Sequence, residues 1–151
     1  MINAVTSELS RYLFLAASLP YLLLGTAHAL ATPLGPADRK GLSPADPQLS
    51  EAMARTPLRL TRRIDMWRAW IGFNFSHGLG LVVLGTLILL IGRSEAAFRA
   101  QAFLFVPFAL LASGAYLLLA TKYWFRTPII GCALSLALLV GSWVALMVAA
   151  R

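Results

Sequence analysis

Four apolar windows, Tyr12–Ala31, Met66–Gly92, Phe98–Thr121 and Pro128–Ala150, constrain this chain more than anything else in it. Each matches or exceeds the roughly 20 residues that a helix needs to cross a bilayer at about 1.5 Å per residue. In hydrocarbon every backbone N–H and C=O has to be satisfied internally, which leaves helices and closed barrels. The alternating ten-residue segments of a barrel strand are missing, so helices remain. Composition agrees: 13% of the residues are charged, about half the share usual in a soluble domain. The expected fold class is all-α, an integral membrane antiparallel four-helix bundle forming a single domain over 1–151. Its helices should span about 10–32, 64–92, 98–123 and 128–150.

The connections carry their own signals. Pro33 ends the first helix, and a Pro- and Gly-rich stretch runs from Thr32 to Pro47. Asp46-Pro47 reads as a helix start, a capping carboxylate followed by Pro at the first helical position. A short interfacial helix from Pro47 to about Arg55 is predicted, with Leu49, Ala52 and Met53 as its apolar face on the membrane surface. Tight connections near Gly92–Glu95 and Arg126–Pro128 imply antiparallel neighbours.

The formal charge is +7, but the cations flank apolar segments instead of lining a soluble face, which argues against nucleic acid. Arg39, Lys40, Arg55, Arg59, Arg62, Arg63, Arg68, Lys122 and Arg126 fall in or beside the first and third loops. Arg11, Arg93, Arg99 and Arg151 fall on the other side. By the positive-inside rule the first and third loops belong in the cytoplasm, both termini on the non-cytoplasmic side, and the protein in a bacterial inner membrane. Anionic headgroups are the expected partner of the basic collar around Arg59–Arg63. Cys132 is the single cysteine, so it has no disulfide partner within the chain and reads as a buried, inert thiol. A cleaved signal peptide is disfavoured, because Glu8 offsets Arg11 and Pro20 interrupts the apolar run.

The second window opens on Met66-Trp67-Arg68-Ala69-Trp70-Ile71-Gly72-Phe73-Asn74-Phe75-Ser76-His77-Gly78-Leu79-Gly80. Intramembrane polar groups are costly and mark sites or glue between helices. At about 100° per residue, Trp67, Trp70, Asn74, His77 and Gly78 share one sector. Gly72, Ser76 and Gly80 fall on another, and their four-residue spacing predicts close helix packing. The first helix offers a matching face in Ser18, Tyr21, Gly25 and His28, and the third offers Ser113 and Tyr116. His28, Asn74, His77 and Tyr116 are therefore expected to converge, roofed by Trp67, Trp70 and Arg68.

Several chemistries fit this set poorly. The acids Glu8, Asp38, Asp46, Glu51, Asp65 and Glu95 all lie outside the deep parts of the windows, which argues against a carboxylate proton relay or a hydrolase triad. No metal site is expected. Bis-histidine haem is disfavoured on depth: His28 should sit about 6 Å inside the first helix and His77 about 13 Å past Arg68.

The Met66–Gly80 block, with Gly25-Thr26-Ala27-His28 and Lys122-Tyr123-Trp124-Phe125 ahead of Pro128, resembles an uncharacterised family of small bacterial four-helix membrane proteins. The resemblance implies an architecture and no activity. The leading expectation is a protein that binds a small amphipathic or isoprenoid-like molecule beside His28, Trp67, Arg68, Trp70, Asn74, His77 and Tyr116. One alternative is a small membrane enzyme with His77 as general acid or base. Another is a structural subunit that pairs with a membrane-protein partner or with itself as a homo-oligomer. The cofactor is left open.

Overall fold

A computed structural model describes the chain from Ile2 to Arg151, with side chains from Val5 onward. The elements in order are α1 (Ile2–Ala16), α2 (Ser18–Ala31), α3 (Pro47–Arg55), α4 (Met66–Arg93), α5 (Glu95–Tyr123) and α6 (Arg126–Ala149). The fold is all-α, and a lone antiparallel bridge between Pro57 and Asp65 is the nearest thing to a strand among the described residues. Four segments are long and apolar enough to cross a membrane: Val5–Ala31, α4, α5 and α6. No more than 33% of any of their apolar windows is buried by protein. Leu111, Leu118 and Ile130 lie among the large side chains left exposed. Apolar surface on this scale needs a non-aqueous cover, and this is a multi-pass membrane protein.

The first helix begins earlier than expected, at Ile2 instead of about residue 10. Apolar residues mark where lipid contact begins, whereas the helix continues through the polar turns before it. There Glu8 and Arg11, one turn apart, form a 2.7 Å ion pair. The span is also broken at Ala17. Pro20 explains the break, since its ring removes an N–H and collides with the carbonyl four residues back. A carbonyl at the break finds another donor: Ser135 Oγ donates to Ala17 O at 3.0 Å. Substitute partners of this kind let membrane helices tolerate Pro.

By their contacts the residues group into two compact units. One comprises the chain up to Leu24 together with Leu81–Arg151. Its core includes Phe14, Tyr21, Ile88, Phe98, Val106 and Leu139. Here α1 runs antiparallel to α6: Ser10 pairs with Ser142, and Ala17 with Ser135 further along. The Ser10–Ser142 contact is reciprocal, each hydroxyl donating to the other residue's carbonyl at 2.8 and 2.9 Å. α4 is also antiparallel to this span, with Gly92 against Leu15 and Gly85 against Leu22. α5 runs parallel to it, with Phe98 against Phe14 and Ser113 bonded to Tyr21. The result is an up-and-down four-helix bundle. Arg11 Nη1 closes the end of α4 by donating to Gly92 O at 3.1 Å, where the terminal carbonyls have no helical partner and the dipole favours a cation.

The other unit is Gly25–Gly80: the end of α2, the long loop, α3 and the first half of α4. α3 starts as its sequence predicts, with Asp46 Oδ1 accepting from Gln48 N at 2.8 Å and Pro47 first in the helix. Leu49 is 50% exposed, whereas Ser50 is fully buried.

Candidate binding site at the start of α4

Within the Gly25–Gly80 unit, α4 lies against α2 through Gly78. A β-carbon there would meet Gly25 O at 3.1 Å and Ala29 N at 3.5 Å. This corrects the expectation for the small-residue stripe. Gly72 and Ser76 are exposed, and a β-carbon on Gly72 would meet nothing within 4 Å. In this unit close approach belongs to the polar sector, where α2 and α4 also share the His28–Asn74 hydrogen bond.

His28 Nε2 donates to Asn74 Oδ1 at 3.0 Å, and Asn74 Nδ2 donates to Trp70 O at 2.8 Å. The second bond fixes the amide orientation, so the oxygen faces the imidazole and His28 Nε2 carries a proton. His77 is half-buried, with its ring 4.9 Å from that of His28 and stacked at 6.3 Å on Phe73. Trp67 and Trp70 lie 5.4 Å apart. The predicted sector is therefore the inward one: Trp67, Asn74 and Gly78 are buried, while Trp70 and His77 are half-buried.

The depth argument about the two histidines fails. Their rings are neighbours, although His28 is three residues from the end of α2 and His77 eleven from the start of α4. The two helix ends are not level: α4 overhangs α2 by about 12 Å. The chain that follows α2 lies beside this overhang, leaving an open groove of about 530 Å³. The loop contributes Leu34 and Pro36, α3 contributes Ala54, and the start of α4 contributes Trp67, Arg68, Ile71 and Gly72. Asp65 lines it too; it caps α4 by accepting from Arg68 N at 2.8 Å and pairs with the Arg68 guanidinium at 3.6 Å. The volume falls within the range of about 300–1,000 Å³ usual for small-molecule sites. A hollow in the other unit, bounded by Ser7, Phe98, Arg99, Phe103 and Leu146, reaches about 190 Å³ and is too small.

Two buried side-chain polar atoms in the Gly25–Gly80 unit have no hydrogen-bond partner in the protein: the indole Nε1 of Trp67 and the hydroxyl of Ser50. Trp67 is 4% exposed and lines the groove. Ser50 is one turn before Ala54 on α3. A buried donor left in this way costs about 1–3 kcal/mol, and of the two residues Trp67 is the one that lines the groove.

Of the predicted site residues, His28, Asn74 and His77 come together, and Trp67 and Arg68 line the groove with Trp70 beside them. Tyr116 belongs to the other unit, where its ring lies 6.2 Å from Tyr21. Sequence reasoning missed Leu34, Pro36, Ala54, Asp65, Ile71 and Gly72 as groove lining. The Pro-rich loop and the α3 cap were the available signals, but neither says where a loop folds back. No group of three or more His, Cys, Asp and Glu suited to a metal occurs among the described residues. Comparison with protein-family models, with curated proteins and with solved structures gives no match to this chain.

Proposed function

We propose that this chain is a binding-type integral membrane protein, which holds a small amphipathic or isoprenoid-like molecule in the groove at the start of α4. The observation that carries the reading is a groove of ligand size whose lining includes Trp67, a residue with a buried, unpartnered Nε1–H. A ligand oxygen accepting from it would offset the desolvation of that donor. Leu34, Pro36 and Ile71 supply apolar wall for a tail. The mutually neutralised Asp65–Arg68 pair favours a polar head over a strongly charged one. His28 and Asn74 act as the lock that sets the overhang. Interhelical hydrogen bonds of this sort are worth about 0.6 kcal/mol on average in membranes, up to about 1.7.

Gly72 offers the test. It lines the groove and has open space around it, so Gly72→Trp should fill the site without disturbing the helix. Native mass spectrometry of the wild-type protein should show a retained small molecule, and the variant should lose it. A wild-type protein with an empty groove, or a Gly72→Trp variant with undiminished ligand, would overturn the proposal.

The runner-up reading uses His77 as a general acid or base on the same class of molecule. It is favoured by a half-buried imidazole beside a second one whose Nε2 carries a proton. In that case His77→Gln would abolish turnover while ligand retention persists. The proposed setting for either reading is a bacterial inner membrane with the 32–65 loop in the cytoplasm. Ser43→Cys in a Cys132→Ala background should then resist impermeant thiol reagents in whole cells, and labelling from outside would reverse the orientation.

A further inference from the structure

The segment between α3 and α4 is a small hairpin, and its tip, Arg59–Arg63, lies outside the groove lining. Leu58 N donates to Ile64 O at 3.0 Å and Met66 N to Thr56 O at 2.9 Å, and Pro57 bridges Asp65. Inside the turn Arg63 N donates to Thr61 Oγ1 at 3.2 Å. These bonds hold Arg59–Arg63 as a formed loop whose last residues run directly into α4. Leu60, at its tip, is 94% exposed, more than any other large apolar side chain described. Arg59, Arg62 and Arg63 flank it, all exposed, and none takes part in an ion pair among the described residues. The nearby acids are engaged elsewhere: Glu51 pairs with Arg55, and Asp65 pairs with Arg68 and caps α4. No acid occurs between Arg55 and Asp65.

We propose that this hairpin is an anchor for anionic phospholipid, with Leu60 entering the acyl boundary and Arg59, Arg62 and Arg63 gripping the surrounding headgroup phosphates. Charge and tether together select that partner. Three uncompensated cations around one exposed leucine suit a surface that is anionic outside and apolar within. An acidic soluble protein would satisfy the arginines and leave Leu60 in water. The covalent link to α4 also keeps the loop at the bilayer boundary, where each basic residue gains about fivefold in anionic-lipid affinity. Three together predict a preference of about a hundredfold for anionic over zwitterionic lipid. The proposal is independent of the groove and its ligand.

An environment-sensitive dye on Leu60→Cys, in the full-length Cys132→Ala protein, reads the tip directly. In nanodiscs of phosphatidylcholine with phosphatidylglycerol the emission should shift to the blue, and in phosphatidylcholine alone it should not. Adding Arg59→Gln, Arg62→Gln and Arg63→Gln should abolish the shift. Removing equal charge elsewhere, with Arg39→Gln, Lys40→Gln and Arg55→Gln, should preserve it. Inorganic phosphate added to phosphatidylcholine discs should leave the dye unchanged. Equal emission in both lipids, an effect reproduced by the control triple, or a response to free phosphate would each overturn the proposal. The dye reports position whether or not the groove is filled.

Discussion

The two units treat buried polar atoms in opposite ways. In the bundle built on α1, α5 and α6, the hydroxyls of Ser10, Ser18, Tyr21, Ser113, Ser135 and Ser142 all engage in hydrogen bonds. Its one orphan among the described residues is Nε of Arg11, whose terminal nitrogens are bonded. In the Gly25–Gly80 unit the lock is equally complete, with both ends of the Asn74 amide engaged. Trp67 Nε1 and Ser50 Oγ nevertheless stay unpaired nearby in the chain. A satisfied polar atom serves the scaffold, because its free energy is already spent on the fold. An unsatisfied one keeps the capacity to recognise something else.

That contrast can be broken, most forcefully at the glycines. Gly78→Leu should destabilise the fold by about 1–3 kcal/mol, because the added carbons meet backbone that cannot move aside. Gly72→Leu, on open space, should leave the thermal midpoint in detergent nearly unchanged. Equal effects at the two positions would show that the close contact has been assigned to the wrong face. Next in size is Asn74→Ala, which strands the His28 N–H and should cost about 1–3 kcal/mol. Asn74→Asp offers a sharper companion, since it retains the acceptor and should recover part of the loss.

Smaller effects separate scaffold from site. Tyr21→Phe removes a bonded hydroxyl from the bundle core and should cost about 0.5–1.5 kcal/mol, leaving any bound molecule in place. Trp67→Phe removes a donor that has no partner, so stability should hold or rise while ligand retention falls. A loss of stability in Trp67→Phe equal to that of Tyr21→Phe would erase the distinction. The least change is expected from Ser50→Ala, whose hydroxyl contributes no bond, as read by the same melts.

Much of this was legible in the residues. Pro33 stops α2 within two residues of its position, and Asp46-Pro47 starts α3. The Trp67, Asn74, Gly78 sector faces inward as a 100° periodicity requires. Gly72 and Ser76 obeyed the same periodicity and misled, because spacing defines a face without saying which neighbour covers it. Gly78 and Gly72 are identical to any composition rule, and they differ only in what stands opposite.

Sequence alone determined the all-α class, the four spans, the helix ends set by Pro and Asp, and the polar sector of α4. These follow from hydrocarbon thickness, backbone satisfaction and helical period, all of which act locally along the chain. Tertiary structure decided the rest: that His28 and His77 are level, that α4 overhangs α2, and that Leu34, Pro36 and Ala54 wall the overhang. The relative offset of two helices is set by loop path and side-chain interlock between residues far apart in sequence, and no local rule contains it. The groove depends entirely on that offset.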